Sequence, residues 1–521
     1  MMMFSSITIF LIVFFVTLLF VIFLSLIRHF RNGSSSVYQN LPPGPTRLPL
    51  IGHLHLLDDD LPHRTFQKLS AQHGSLMHLQ LGSVPTLVVS SSDMARDIFK
   101  NHDLAFSGRP VLYAAKRLAY NCSTLSLAPY DDYWRQMRKI VILELLSSRR
   151  VQAFRAVRSQ ELKLLLDSIA ASASSSPSSS VNLSELTLLL SNKIVCRIAF
   201  GGKNMHEEGD DNARKFHEML RETQELLGGF CLADFFPWLG WLNKFNGLDR
   251  RIQKNFRELD DFFNTVINEH RDSGYTKHEA DDNDDDLVHV LIQLQKDLNQ
   301  PISITDDQIK GVLLDIFLAG TDTSSATLVW TMAELIKNPN SMKKAQEEVR
   351  KFAKGKQMIE EEELGSLIYL KSVVKESLRL HPPAPLLVPR ETREACKIKG
   401  FDIPAKTRVF VNAKSIGTDP KEWENPEEFK PERFVDRSSV DYGYGGGQQF
   451  EMMPFGAGRR GCPGISFAMP MVELTLANLL HRFDWELPSG VKSHELDMQE
   501  AFGVTMHKKS HLCLIPHPVY A

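Results

Sequence analysis

The hydrophobic pattern opens with an unbroken apolar run. From residue 7 to 27 no position is charged, and Ile, Leu, Val and Phe fill most of it. A helix needs ~20 residues to cross a bilayer core, whereas a cleaved signal peptide carries only about 7–15 apolar residues. The run ends in Arg28-His29-Phe30-Arg31, with no Lys or Arg before it. Basic residues stay on the cytoplasmic side. Residues 1–31 therefore predict an uncleaved, single-pass signal anchor with the rest of the chain in the cytosol. A Gly/Ser stretch and Leu41-Pro42-Pro43-Gly44-Pro45 follow, so 32–46 reads as a flexible linker closing in a stiff hinge.

Beyond the hinge the pattern takes helical spacing over 131–145, 151–170, 248–271 and 306–337. The last of these begins at Thr305 with Gln308 three residues on, a capping box, and stops at Asn338-Pro339. Short β-type segments occur near 75–89 and 407–412. The serine run 172–180, the aspartate run 281–286 and the glycine-rich 441–447 read as surface loops. The aspartates lack the Gly and terminal Glu of a calcium loop. Segment 230–245 gathers Phe235, Phe236, Trp238 and Trp241 around Pro237, and reads either as core or as a loop dipping into a membrane surface. The pattern predicts a mainly α protein with a small β-rich part.

Composition narrows the function classes. At 43% hydrophobic and 24% charged over 521 residues, the chain is neither disordered nor fibrous. Lys+Arg at 60 against Asp+Glu at 63 leaves a net charge of -3, which gives no electrostatic reason for a nucleic-acid partner. The six cysteines are scattered and form no C-x-x-C pair, which argues against a zinc site and a disulfide frame alike.

One cysteine has chemical surroundings. It sits in Phe455-Gly456-Ala457-Gly458-Arg459-Arg460-Gly461-Cys462-Pro463-Gly464. Glycines let backbone N–H groups approach the sulfur, and nearby cations favour a thiolate. Such a thiolate suits an axial ligand of haem iron, with a buried structural thiol as the bland alternative. Gly456, Gly458 and Gly461 also spell G-x-G-x-x-G, but no buried strand precedes them and Pro463-Gly464 spoils a helix start, so a dinucleotide site is set aside. Within 306–337, Ala319-Gly320-Thr321-Asp322-Thr323 departs from core patterning. Glycine costs ~1 kcal/mol in a helix relative to alanine. A local break there would admit a small ligand, and Asp322 and Thr323 could relay protons. The bland alternative is a threonine bonded back to its own helix. Glu376 and Arg379 share a helix face, and Arg433 of Pro431-Glu432-Arg433-Phe434 could complete a buried network with them. The same E-x-x-R spacing at Glu218/Arg221 and Glu347/Arg350 reads as exposed pairs of small worth.

In order, the Pro-rich hinge, Trp134-x-x-x-Arg138, A-G-x-D-T, E-x-x-R, P-E-R-F and F-x-x-G-x-R-x-C-x-G make the chain resemble a microsomal cytochrome P-450 of the large plant 71 clan. The resemblance spans the chain from Leu41. It implies one haem-binding catalytic domain over 47–521, folded around haem b (iron protoporphyrin IX) held by the Cys462 thiolate. Phe455 would pack near the sulfur. Trp134, Arg138, Arg390 and Arg460 would hold the propionates, for which guanidinium forks are suited. Asp322 and Thr323 would deliver protons for O2 activation. The implied activity is oxygen insertion from O2 into a small apolar plant metabolite of terpenoid, phenylpropanoid or alkaloid type. Electrons would come from NADPH-cytochrome P-450 reductase, docked near Arg459, and membrane lipid of the endoplasmic reticulum would hold the anchor. The implied pocket draws on 107–119, 319–323, 384–388 and 501–504, including Leu112, Leu386, Leu387, Val388 and Phe502. The alternatives are a haem-thiolate isomerase or dehydratase working without a reductase, and a tethered haem sensor.

Overall fold

The computed structural model describes residues 13–14, 16–17, 40–57, 61–176, 178–201, 210–272, 286–299, 302–435, 449–488 and 490–519. The anchor expected over 1–31 lies outside the described residues apart from Val13, Phe14, Val16 and Thr17, which are helical. The loop expected over 441–447 and the aspartates 281–285 also lie outside them. The proline-rich hinge is extended and lies on the first strand, where the His78 N–H donates to Pro43 O at 2.9 Å. Gly44 is needed there, because a Cβ would fall 2.1 Å from His78 O.

The elements that place the site follow in chain order. The β-type stretch near 75–89 forms β1 (Leu76–Leu81) and β2 (Val84–Val89). Helix α1 (Asp132–Ile140) continues into a π turn, Val141–Leu145. Then come α2 (Leu183–Phe200), α3 (Asp210–Gly228), α4 (Leu248–Asp272), α5 (Asp306–Lys337) and α6 (Ile368–Leu380). Strands β3 (Arg390–Glu391) and β4 (Arg408–Val411) complete a sheet of order β1-β2-β4-β3, in which only the β2–β4 pairing is parallel. Helix α7 (Ile465–Arg482) leaves the cysteine loop, and β5 (Glu500–Ala501) pairs with β6 (His507–Lys508) near the end of the chain.

Helix α5 is the axis. Both arms of the Thr305–Gln308 capping box form, and Asn338 ends the helix. It packs on α2 and α7, and its apolar residues enter one large core with theirs. Trp330, fully buried, fixes its far half. The indole N–H donates to Met506 O at 2.9 Å, and the ring stacks on His381 at 4.2 Å. One residue thus ties α5 to the end of α6 and to the strand that carries β6.

Four local expectations change. The serine run is not wholly a loop, since the helix Arg155–Ser175 takes its first residues. Ser174 and Ser175 hydroxyls donate to Ala170 O and Ala171 O, satisfying themselves within the helix. Asp286 is buried rather than solvated; it caps Leu287–Lys296 through the His289 N–H at 2.8 Å and faces His270 Nε2 at 3.2 Å. Arg350 pairs with Asp484 at 2.8 Å and donates to Leu480 O and Phe483 O, while Glu347 faces Lys343 instead. In segment 230–245, Phe235 packs inward against a small core, whereas Phe230, Trp238, Trp241 and Phe245 are exposed.

Glu376 and Arg379 are fully buried on α6 and share a bidentate pair, both contacts at 2.7 Å. The same carboxylate accepts from Arg433 Nε at 3.2 Å and from the Lys430 N–H at 2.9 Å. Arg379 also donates to Gly417 O and Pro426 O at 2.7 Å. One buried acid thus fixes the path of 417–433, the approach to the cysteine loop. Glu376→Ala strands two cations, one fully buried and one nearly so, and such a loss costs about 3–5 kcal/mol. Denaturant unfolding should show that loss; a change below about 1 kcal/mol would contradict the network's structural weight.

Candidate active site

The Cys462 loop is built by glycine geometry. Gly456 and Gly458 both sit at φ +67, and a Cβ on Gly458 would come 2.4 Å from Asp103 Oδ1. Asp103 occupies that space to accept the Arg459 N–H at 3.0 Å. The Cys462 N–H donates to Phe455 O at 2.9 Å, which closes the loop. The Gly464 N–H points at Cys462 Sγ from 3.3 Å. Three residues after Cys462, at Ile465, α7 begins, so the sulfur also lies at a positive helix end. Burial pushes the thiol up, while the Gly464 N–H and Arg138 act in the opposite direction. Residues 449–457 form no strand and Gly458–Arg460 is a 3-10 turn, so the dinucleotide pattern lacks its structural context.

Around this loop stand several arginines. Arg460 donates to Ser107 O, Leu125 O and Ala128 O; Arg390 donates to Ala457 O and reaches Asp103 at 3.5 Å. Arg138 Nη2 donates to Gly461 O at 2.7 Å. Carbonyls satisfy these forks but carry no charge. Burial and mutual repulsion bring Arg460 down to about 9. Burial brings Arg390 down to about 10 despite Asp103. A group carrying two carboxylates beside a sulfur-bound metal would supply the missing anions, so the residues present fit a haem with its propionates.

Trp134 lies within the same cation cluster. Its indole N–H donates to Leu125 O at 2.9 Å, and its ring carries the guanidiniums of Arg460 at 4.2 Å and Arg138 at 5.4 Å. It positions the cations rather than offering its own donor. Phe455 is partly buried and packs on the main core. Sequence reading missed Arg109, which is buried and donates to Ser126 O, Val388 O and Pro389 O. Burial, Arg390 and Arg460 hold it far below its ordinary range. Asp315 of α5 faces it, accepting from Ser126 at 2.5 and 3.0 Å and pushed up by burial to about 6. Only the bare string Ser107-Gly108-Arg109-Pro110 hinted at this.

On α5, the expected break is absent: Asp306–Lys337 is continuous. The Thr323 hydroxyl donates to Ala319 O at 2.5 Å, which satisfies it without opening the helix. A Cβ on Gly320 would meet Phe467 of α7 at 3.9 Å, so this stretch lies beside the helix that leaves Cys462. Asp322 is buried and ion-pairs with His507 of β6 at 2.9 Å. Of the expected pocket residues, Val388 and Phe502 are exposed and Leu112 is half-buried. Leu386 and Leu387 instead pack into two small cores, Leu387 beneath Gly456.

The model of the cytochrome P450 family matches residues 42–515. Cytochrome P450 71A9 of Glycine max is 62% identical over 504 residues, covering 97% of this chain and 98% of that protein. Strychnine-11-hydroxylase of Strychnos nux-vomica is 53% identical and covers 92% of both. A zebra fish cytochrome P450 solved with progesterone superimposes with a TM-score of 0.74 at 24% identity, over 88% of this chain and all of that one. The chain belongs to the cytochrome P450 family: it is a haem-thiolate monooxygenase whose haem is bound through a cysteine.

If Arg460 holds a propionate, Arg460→Ala removes one charge-assisted partner, worth about 1.5–3 kcal/mol. Haem transfer to an excess of an apo-globin acceptor should therefore speed up roughly 10- to 150-fold. An unchanged rate would remove Arg460 from the cradle.

Proposed function

We propose that the protein is a membrane-anchored monooxygenase that inserts one oxygen atom of O2 into a small apolar plant metabolite of terpenoid, phenylpropanoid or alkaloid type. NADPH-cytochrome P-450 reductase supplies the electrons. The observation that carries the reading is the joint presence of a sulfur with an N–H donor and a cluster of buried guanidiniums without enough carboxylates. When bound, the haem supplies O2 activation and the oxidising equivalent. The chain's own work is positional. Cys462 offers the sulfur, and the Gly464 N–H steadies its negative charge. Arg109, Arg138, Arg390 and Arg460 would hold the carboxylates, with Arg138 and Arg460 stacked on the Trp134 ring. Thr323, once its hydroxyl leaves Ala319 O, presents a proton beside the reacting centre, and Asp322 resupplies it.

Support for the anchor comes from the uncharged run 7–27, followed by Arg28 and Arg31. Phe230, Trp238, Trp241 and Phe245, 70%, 54%, 57% and 79% exposed, form a second apolar surface suited to a bilayer interface. These favour an endoplasmic reticulum membrane with the catalytic domain in the cytosol. The half-exposed Arg459, next to the cysteine loop, offers a cation for reductase docking. The 53% identical relative is named as a hydroxylase of strychnine, which supports a plant specialised metabolite as the substrate.

The test is incubation of the full-length protein with reductase, NADPH and a panel of apolar plant metabolites. A product one oxygen heavier, formed only with NADPH and reductase, is expected; turnover persisting without them would mean an isomerase or dehydratase. In the same assay, Thr323→Ala should release several-fold more peroxide per NADPH, because proton delivery falters. Tightly coupled turnover would remove Thr323 from the relay. Deleting residues 1–31 should move much of the protein off membranes. Complete retention would show that the exposed aromatics hold it unaided.

A further inference from the structure

The ion pair between Asp322 and His507 has no structural necessity. α5 is already tied to this strand by Trp330, and Met506 is held on its other side by its own N–H to Pro383 O at 2.8 Å. His507 pairs with Ala501 in the β5–β6 ladder, so its ring is delivered to α5 on a braced strand. The pair is also asymmetric. Asp322 is 9% exposed, whereas the His507 side chain is 37% exposed and open to water. Beside them on α5, Thr321 Oγ1 and Ser324 Oγ are buried with no hydrogen-bond partner among the described residues. Buried hydroxyls in that condition are places that ordered water fills.

We propose that His507 is the water-side proton donor that recharges Asp322. The imidazolium Nε2–H passes its proton to Asp322 Oδ1 across the 2.9 Å contact. The ring, now neutral with its hydrogen on Nδ1, swings Nε2 to the water side and takes a hydronium proton there, so charge and protons balance. The inference rests on the reading of Asp322 and Thr323 as proton carriers, and adds the group that feeds them.

The surrounding charges fit this role. Burial pulls the His507 ring down, but the hydrogen bond and charge of Asp322 outweigh it and leave the ring above its ordinary 6.5. Asp322 therefore favours the protonated form of the ring. His217 of α3 also feels Asp322, but burial holds it below its ordinary value. Arg221 and Glu218 on α3 and Glu185 on α2 act on His217. From β5, Glu500 is already engaged by His63 and Arg64. On β6 itself, Lys508 donates to Ser510. His507 is thus the charged donor that Asp322 meets.

The test uses the full-length holoenzyme and has two parts. The first is NMR titration of the His507 ring in the reduced, carbon-monoxide-bound form, assigned by the signal missing in His507→Gln. The wild-type ring should titrate above 6.5 and fall in Asp322→Asn; a ring that titrates alike in both would overturn the proposal. The second compares His507→Gln and His507→Arg after each is shown to hold haem normally by its carbon-monoxide spectrum. Arginine keeps the positive charge beside Asp322 but does not release a proton at neutral pH. Both variants should turn over on the order of tenfold more slowly, below the full effect of a direct general acid. Both should also release more peroxide per NADPH and lose the wild-type decline in rate as pH rises through the His507 titration. Wild-type coupling in His507→Arg would reduce His507 to a charge that positions Asp322 and overturn the donor role. Asp322→Asn separates the two levels. If it uncouples while both His507 variants stay coupled, only this inference fails; if it stays coupled itself, the proton-carrier reading fails too.

Discussion

Charge held out of water is the constraint on which the site depends. Around Cys462, burial acts against four ionisable groups at once, raising the thiol and lowering Arg109, Arg390 and Arg460. The nearby carboxylates, Asp103 and Asp315, are engaged by Arg459, Arg390 and Ser126. A protein that keeps cations in this state without a cofactor would gain from replacing them by apolar residues. Their presence makes sense when a dicarboxylate and a metal join the same space. The haem is then the counter-charge that completes the core as well as the reagent.

Rigidity elsewhere serves that arrangement. Glu376 gathers Arg379, Arg433 and Lys430 and so fixes the irregular segment 417–433. Trp330 holds α5 against the end of α6 and the strand of β6 from one buried side chain. These polar ties fix geometry in a chain where apolar burial alone would allow sliding. They also leave the Asp322–His507 contact as the point where the braced interior meets water.

Much of this was legible in the sequence, and the reasons are local. The Thr305–Gln308 box and Asn338-Pro339 bound α5 because caps act over three or four residues. The β-type stretch near 75–89 holds both β1 and β2, though the turn that divides them was not marked. What the sequence hid depends on side-chain direction. Nothing in the string says that Trp134 turns its N–H to Leu125, that Arg109 joins the cation cluster, or that Leu386 and Leu387 leave the pocket for small cores. Segment 230–245 left core and surface both open, and the fold divides it, with Phe235 in and Trp238 and Trp241 out. Thr323 shows the limit most plainly: the motif marks the residue, but a 2.5 Å bond to Ala319 O keeps the helix whole.

The central claim is that the Cys462 sulfur is the axial ligand of a bound haem. The most direct measurement is the spectrum of the reduced carbon-monoxide complex of the purified wild type beside Cys462→His. The account predicts the strongly red-shifted band of a thiolate-ligated haem in the wild type, and a haem-loaded histidine variant that lacks it. A variant that keeps the red-shifted band, or a wild-type protein that holds no haem when iron and porphyrin are both supplied, would contradict it.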